Sequence, residues 1–233
     1  MKSVIFIFTF LVSACASSPF SGSNPFEHTE LLLSAEEALD EVVSGSGVPQ
    51  AVLEHTKAFV IFPNLVKAAV IAGARVGKGV VIARSPETGK WNPPAFVKSQ
   101  QASWGIQAGV QKAELVLLVF TNKGLKQLFK LQYSLGEGPQ IALGPVEKTL
   151  DLNLDKLLGE KDILAYSRIE GLFAGLSFEG TVISSDKNAN YEYYQQAVSS
   201  RSLLAGQDGI KVPESGQAFL KRLNRLAPPA SGN

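Results

Sequence analysis

The sequence predicts an α+β fold: an antiparallel, barrel-like sheet with several short helices packed around it. Three observations carry this. Short β-branched runs, Ala58–Phe62, Ala68–Val76 and Gly79–Ala83, are punctuated by Pro63-Asn64 and Gly77-Lys78-Gly79, the pattern of antiparallel strands and turns. Stretches of helical period flank them on both sides. Between lies Tyr166–Ile183, with Gly171, Gly175 and Gly180 set among Leu172, Phe173, Leu176 and Phe178, a spacing expected of a tightly packed central hairpin or bent strand.

Residues 1–14 read as a signal peptide: Lys2 is followed by the apolar run Val4–Val12, which is too short to span a bilayer. Leu11-Val12-Ser13-Ala14-Cys15 is similar to the lipobox of bacterial lipoproteins, which implies cleavage before Cys15 and a diacylglyceryl group on its thiol. An ordinary secretory cut after Ala14-Cys15-Ala16 also satisfies the small-residue rule. Cys15 is the one cysteine in the chain, so no internal disulfide forms and stability rests on the core. Loss of residues 1–14 removes Lys2 and no acid, leaving 21 bases against 21 acids, a balance unlike that of a general nucleic-acid binder.

Residues 15–26, rich in Ser, Pro and Gly, are expected to form a flexible tether. Residues 27–200 then read as one domain, and 201–233 as an amphipathic helix and tail. The first helix is expected from a capping box at Ser34 and Glu37, with Leu32, Ala35, Leu39 and Val42 on one stripe and Gly45 as the stop. A short helix follows from Pro49 towards Lys57. Residues 27–54 carry seven acids and no Lys or Arg, whereas 57–90 carry six bases and one acid, so a basic sheet rim is expected.

Trp91–Val97 reads as an edge strand because of Pro93-Pro94. Trp104–Val110 and Glu114–Thr121 read as better strands, the second apolar enough for burial on both faces. Asn122 caps a helix over Lys123–Lys130, and Gln132–Leu135 with Gln140–Leu143 reads as a hairpin around Gly136-Glu137-Gly138-Pro139. Ile163–Arg168 leads into the glycine-rich stretch, and Asp186 caps a helix reaching about Ala197. The last helix, Glu214–Leu226, places Phe219, Leu220, Leu223 and Leu226 on one face and Lys221, Arg222 and Arg225 on the other.

Catalytic templates fail on their residues. Gly73–Gly79 has the wrong spacing for a phosphate loop and lacks the Ser or Thr after Lys78, and it lacks the third glycine of a dinucleotide site. Ser177 has no histidine partner in reach of the motif, since only His28 and His55 exist, both in or beside the acidic segment. Glu170 and Glu179 read as a solvated charge and a strand-end acceptor. No clustered ligand spacing supports a metal, and no cofactor is implied. Lys57, Lys67, Arg75, Lys78, Arg84, Lys221, Arg222 and Arg225 are the candidate contacts to lipid phosphates, weighed equally against simple solvation.

From Val48 to Tyr194 the chain resembles the SYLF domain. The resemblance rests on Pro49 with Leu53, Ala58–Phe62, Lys67-Ala68, Gly73-Ala74-Arg75, Gly79-Val80-Val81, Trp91 with Pro94, Gly105 with Gly109, and Gly144-Pro145-Val146. Its densest part is Tyr166-Ser167-Arg168, Gly171–Gly175, Glu179-Gly180, Asn190 and Tyr193-Tyr194. The resemblance implies binding of phosphoinositides or other anionic lipids through an amphipathic N-terminal helix and a basic surface, without catalysis. The acidic N-terminal helix of this chain departs from that pattern, and no SH3 or FYVE-like module is appended, so the actin binding of some eukaryotic members is not carried over. The expectation is a lipid-anchored protein of the bacterial envelope, at the outer membrane facing the periplasm, that binds membrane phospholipids. The alternative is a non-catalytic structural or protein-interaction module with an envelope protein partner.

Overall fold

The computed structural model describes residues 25–45, 48–69, 72–104, 109–129, 132–135, 141–144, 159–170 and 181–228. Strand β1, Ala58–Ala69, is the axis of the fold: it pairs antiparallel with β2, Ala72–Ala83, on one side and β4, Gly109–Val119, on the other. Phe59, Val60, Ile61 and Phe62 are fully buried, which an alternating strand could not be. Both faces of this part of the sheet are therefore covered. Five more strands complete the sheet: β3 (Ala95–Trp104), β5 (Gln132–Leu135), β6 (Ile141–Gly144), β7 (Ile163–Glu170) and β8 (Thr181–Ser185) join β1, β2 and β4 in the order β5-β8-β3-β2-β1-β4-β7-β6.

The expected turns at Pro63-Asn64 and Gly77-Lys78-Gly79 lie inside strands. Between Ile61 and Leu65, β1 advances one residue more than either neighbour, so Pro63 and Asn64 form a bulge that keeps the strand going to Ala69. Gly77 and Gly79 stand beside that bulge. A Cβ on Gly79 would sit 2.4 Å from the Ile61 carbonyl oxygen and 2.4 Å from the Phe62 ring, so the two backbones approach only because no side chain intervenes.

Three further expectations are corrected. Strand β3 begins at Ala95 rather than Trp91, which makes a single bridge to Arg84, and the expected strand Trp104–Val110 straddles the β3–β4 connection, whose residues 105–108 lie outside the described ones. The two strands of the expected hairpin, β5 and β6, are not partners: β5 pairs with β8, and β6 pairs parallel with β7 at the opposite end of the order. Six Cα steps, reaching at most about 20 Å, join Leu135 to Ile141. A flat sheet would separate these edge strands by about 34 Å. The sheet is therefore strongly curled, yet no ladder joins β5 to β6 among the described residues, so it is open rather than a closed barrel.

Directly paired residues share a face, which divides the sheet into two rows. The convex row holds Phe59, Ile61, Val80, Ile82, Phe96, Val116 and Leu118, and helices cover it. Helix α1, Pro25–Gly45, crosses β1, β2 and β4; it starts nine residues before the expected cap at Ser34, because the buried stripe continues back through Leu32 to His28. Helix α2, Gln50–His55, precedes β1, with Pro49 at its N-cap as proline's fixed φ allows. The concave row, Ala58, Val60, Phe62, Val81, Val97, Leu115, Leu117, Ala165 and Ile183, is as deeply buried, by the curl of the sheet on itself. Helix α3, Asn122–Phe129, closes one end, where Gly124 packs on Val119 and Ile163.

After β8, Asp186 caps helix α4, Lys187–Tyr194, accepting from the Ala189 amide at 3.2 Å, and Gln195 ends it in the left-handed region at φ 52°. A helix that periodicity did not suggest, α5, Ser200–Leu204, is set by a capping box between Ser199 and Ser202. Helix α6, Glu214–Leu226, adds Phe219 and Leu223 to the same core. The glycine-rich residues 171–180 lie outside the described ones, while their flanks, β7 and β8, occupy separate places in the sheet.

The bulge makes a specific demand. Gly79→Ala is expected to lower stability by about 1–3 kcal/mol in urea unfolding. Gly159→Ala, where a Cβ meets nothing within 4 Å, should leave the midpoint nearly unchanged.

Candidate functional site

The cations of residues 57–90 do not form one surface. Lys57 lies just before β1, and its Nζ donates to Asn122 Oδ1 at 2.7 Å. Lys67 and Arg75 face each other across the β1–β2 ladder on the concave row; their side chains lie outside the described ones. Lys78, three positions from Arg75, belongs to the convex row, where it pairs with Glu27 of α1 at 2.5 Å.

Arg84 is 8 % exposed and holds the fold together. Its Nε donates to the Thr56 carbonyl at 2.9 Å, Nη1 to Gly89 at 3.0 Å, and Nη2 to Pro228 at 2.9 Å and to Ala227. The guanidinium lies 4.0 Å over the Trp91 ring, and Trp91 Nε1 donates to the same Ala227 carbonyl at 3.1 Å. Burial pushes its pKa down to about 10. These donors are spent on backbone carbonyls from three parts of the chain, which removes Arg84 from the lipid-facing set.

On α6, Arg222 pairs with Asp40 at 2.5 Å and with Glu36 at 3.5 Å, both on α1, whereas Lys221 and Arg225 are exposed. The Asp40 carboxylate raises the Arg222 pKa, and burial raises that of Glu36. One residue on from Asp40, Glu41 meets Arg168 of β7 at 2.9 Å, and Arg168 also holds Glu114 of β4 through two bonds of 3.1 and 2.8 Å. The acids of α1 thus meet cations on β2, β7 and α6. Half-exposed pairs of this kind contribute little stability each, but together they fix where the helix lies. Of these cations only Lys78 lies in the basic stretch 57–90, so the charge pattern along the chain pointed to one of the three contacts.

The residues that carried the family resemblance have packing roles. Asn190 is fully buried: its Oδ1 accepts from the Phe96 amide at 2.9 Å, and its Nδ2 donates to the Phe96 carbonyl at 3.0 Å, to Asp186 at 2.7 Å and to Ser200 Oγ at 3.1 Å. It pairs with β3 as a neighbouring strand would. Tyr194 donates to the Pro94 carbonyl at 2.6 Å, and burial raises its pKa. Tyr166 is buried in β7, with its pKa pushed up to about 12.

Neither histidine is placed for catalysis. His28 is buried against Phe96 and Tyr193, with Nε2 3.0 Å from Glu192, and His55 Nδ1 bonds the Ala51 carbonyl at 2.7 Å. Ser177, Glu179 and Cys15 lie outside the described residues, as does the side chain of Glu170. Among the described residues no three His, Cys, Asp or Glu gather as a metal site, and no helix is long and apolar enough to cross a membrane. Two shallow grooves flank the bulge, one of about 350 Å³ between α1 and the β1–β2 ladder around Val66, Val76 and Lys78, and one of about 220 Å³ around Asn64, Glu114 and Arg168.

Residues 100–226, just over half of the chain, match the family described as Ysc84, Las17-binding protein actin regulator. The SH3 domain-containing YSC84-like protein 1 of Rattus norvegicus is 28 % identical over 183 residues, covering 76 % of this chain and 52 % of its own length. Protein YSC84 of Saccharomyces cerevisiae is 28 % identical over 182 residues (77 % and 38 %), and LAS seventeen-binding protein 3 of the same species is 27 % identical over 182 residues (77 % and 39 %). The chain spans about half or less of the length of these curated relatives. No solved structure matches.

Arg84→Lys keeps the charge but not the fork of donors, and Arg84→Met removes both. Each is expected to cost about 2–4 kcal/mol in urea unfolding, because buried carbonyls lose their partners, while vesicle binding by the folded fraction stays at the wild-type level.

Proposed function

Because the chain belongs to the Ysc84 family, whose members are binding domains, we propose that it is a non-catalytic binding module held at a membrane surface, where it meets anionic headgroups. In this reading Cys15 is the anchor: acyl chains contribute about 0.8 kcal/mol per buried CH₂, enough to hold the domain without help. The site of action is then the bacterial envelope, on the periplasmic face of the outer membrane. The observation that carries the headgroup reading is α6, where Lys221 and Arg225, four residues apart, stand exposed on the face opposite Phe219 and Leu223 while Arg222 between them is tied to α1. The contact is thereby narrowed to the outer face of α6, with Lys57 at the edge of the sheet as a further half-exposed cation.

A specific observation favours docking of a protein instead. Phe26 and Leu33, 75 % and 55 % exposed, lie seven residues apart on the outer face of α1, and Tyr191 of the adjoining α4 is 58 % exposed. The family description speaks of Las17 binding, and one yeast relative is named LAS seventeen-binding protein 3. Such a module would copurify with an envelope protein after crosslinking and ignore lipid composition.

Two measurements test the proposal. Cosedimentation of the Cys15→Ser chain with phosphatidylglycerol vesicles is expected to weaken about thirtyfold in Lys221→Gln/Arg225→Gln, since each cation near an anionic surface contributes about 1 kcal/mol, and to weaken with salt. Equal binding by wild type to phosphatidylcholine vesicles would overturn the headgroup reading. The intact mass of the mature protein should correspond to a diacylglyceryl-Cys15 start; an unmodified Ser17 start would refute the anchor.

A further inference from the structure

The large hydrophobic side chains left exposed among the described residues, Phe26, Leu33, Val76 and Tyr191, all lie on α1 or beside it. Val76 is 39 % exposed and lines the groove of about 350 Å³ between α1 and the β1–β2 ladder, together with Glu30, Leu31 and Val66. Tyr191 adjoins Glu192, whose carboxylate meets His28 of α1. Apolar side chains gathered in one place, with an open groove among them, mark a surface that a partner covers.

Charge says which partner. Glu27, Glu36, Asp40 and Glu41 of α1 are spent on cations of β2, α6 and β7. Glu30 and Glu37 are exposed, and neither forms an ion pair among the described residues. Phe26, Glu30, Leu33 and Glu37 follow one another at steps of four, three and four, so they form one ridge about 16 Å long in which apolar and acidic side chains alternate. Carboxylates set among the apolar groups repel an anionic bilayer. A second copy of the chain does not fit either: Lys221 and Arg225 stand exposed on α6 beside Gln217, Ala218 and Asn224, with no large apolar side chain to meet Phe26 and Leu33. The complement of the ridge is a surface that is basic and apolar at the same helical spacing.

We propose that this ridge and the groove beside it bind a basic amphipathic helix of a partner protein. The helix lies along α1, with its lysines or arginines against Glu30 and Glu37 and one apolar side chain in the groove over Leu31, Val66 and Val76. This rests on the reading of Phe26 and Leu33 as a protein-docking surface and adds the chemistry of the partner. The site is separate from the outer face of α6 and needs neither the anchor nor a vesicle.

The test is fluorescence anisotropy of the full Cys15→Ser chain with a labelled peptide of leucine and lysine in helical amphipathic order, about 15 residues long. The controls are the same residues shuffled and the matching leucine–glutamate peptide. The leucine–lysine helix should bind saturably and the shuffled peptide roughly tenfold more weakly. Glu30→Gln/Glu37→Gln is expected to weaken binding about tenfold, as two exposed ion pairs allow, and Leu33→Ser and Val76→Thr about fivefold each. These positions are exposed, so the urea midpoints should stay near wild type. Lys221→Gln/Arg225→Gln should bind the peptide as wild type does. Equal affinity for the leucine–glutamate peptide, or wild-type affinity in Glu30→Gln/Glu37→Gln, overturns the proposal. So does loss of vesicle cosedimentation in Leu33→Ser, which would give the ridge to a membrane. A photo-crosslinking residue in place of Leu33 separates this proposal from the docking reading beneath it. Capture of another protein in cells, when the leucine–lysine peptide does not bind, refutes the basic helix and leaves docking standing; capture of a second copy refutes the partner protein; capture of nothing refutes both.

Discussion

One extra residue in β1 organises the sheet. Because side chains alternate with a period of two, the bulge at Pro63-Asn64 exchanges the faces of everything after it: Ala58, Val60 and Phe62 are followed on the concave row by Leu65 and Lys67 rather than by Val66. Before the bulge both faces of β1 are apolar, one under the helices and one inside the curl. After it, Lys67 stands opposite Arg75 in the register, and Val66 and Val76 turn towards α1. The bulge is accommodated because Gly77 and Gly79 leave room for it, so two features of the chain that look like turns are one packing device.

Around this sheet the charges are arranged chiefly to hold helices. The acidity of α1 sets it against Lys78, Arg168 and Arg222, and the buried Arg84 gathers carbonyls from Thr56, Gly89, Ala227 and Pro228, so the start of β1 and the end of α6 close on the same guanidinium. Exposed ion pairs position, whereas the buried fork of donors stabilises. The distinction matters for function, since a cation already engaged by its own chain is less available to a partner. Of the expected lipid contacts whose side chains are described, Lys221 and Arg225 on the outer face of α6 stay exposed, as do the apolar Phe26 and Leu33 on α1.

Several residues on which the family resemblance rests do architectural work in this chain. Asn190 replaces a neighbouring strand for Phe96, Tyr194 fastens α4 to Pro94, Arg168 joins β4, β7 and α1, and Gly79 admits the bulge. A resemblance resting on such residues speaks to the fold and leaves the ligand to other side chains.

Much of this was legible in the sequence, but unevenly. The apolar runs Ala58–Phe62 and Glu114–Thr121, the Asp186 cap and the amphipathic α6 are local patterns, and each appears where its pattern lies, because periodicity and capping act over a few residues. The failures share a cause. Whether Pro63-Asn64 turns the chain or bulges it, whether Gln132–Leu135 pairs with the strand next in sequence or with β8, and whether Arg84 faces solvent or four carbonyls depend on which distant backbone lies alongside. The sequence by itself determined the class of fold, the segments that bury and the separation of acid from base along the chain. Only the tertiary structure decided strand order, the face each cation occupies and which of them are already paired, because a one-residue shift of register moves a side chain from one side of a sheet to the other and no local pattern records the shift.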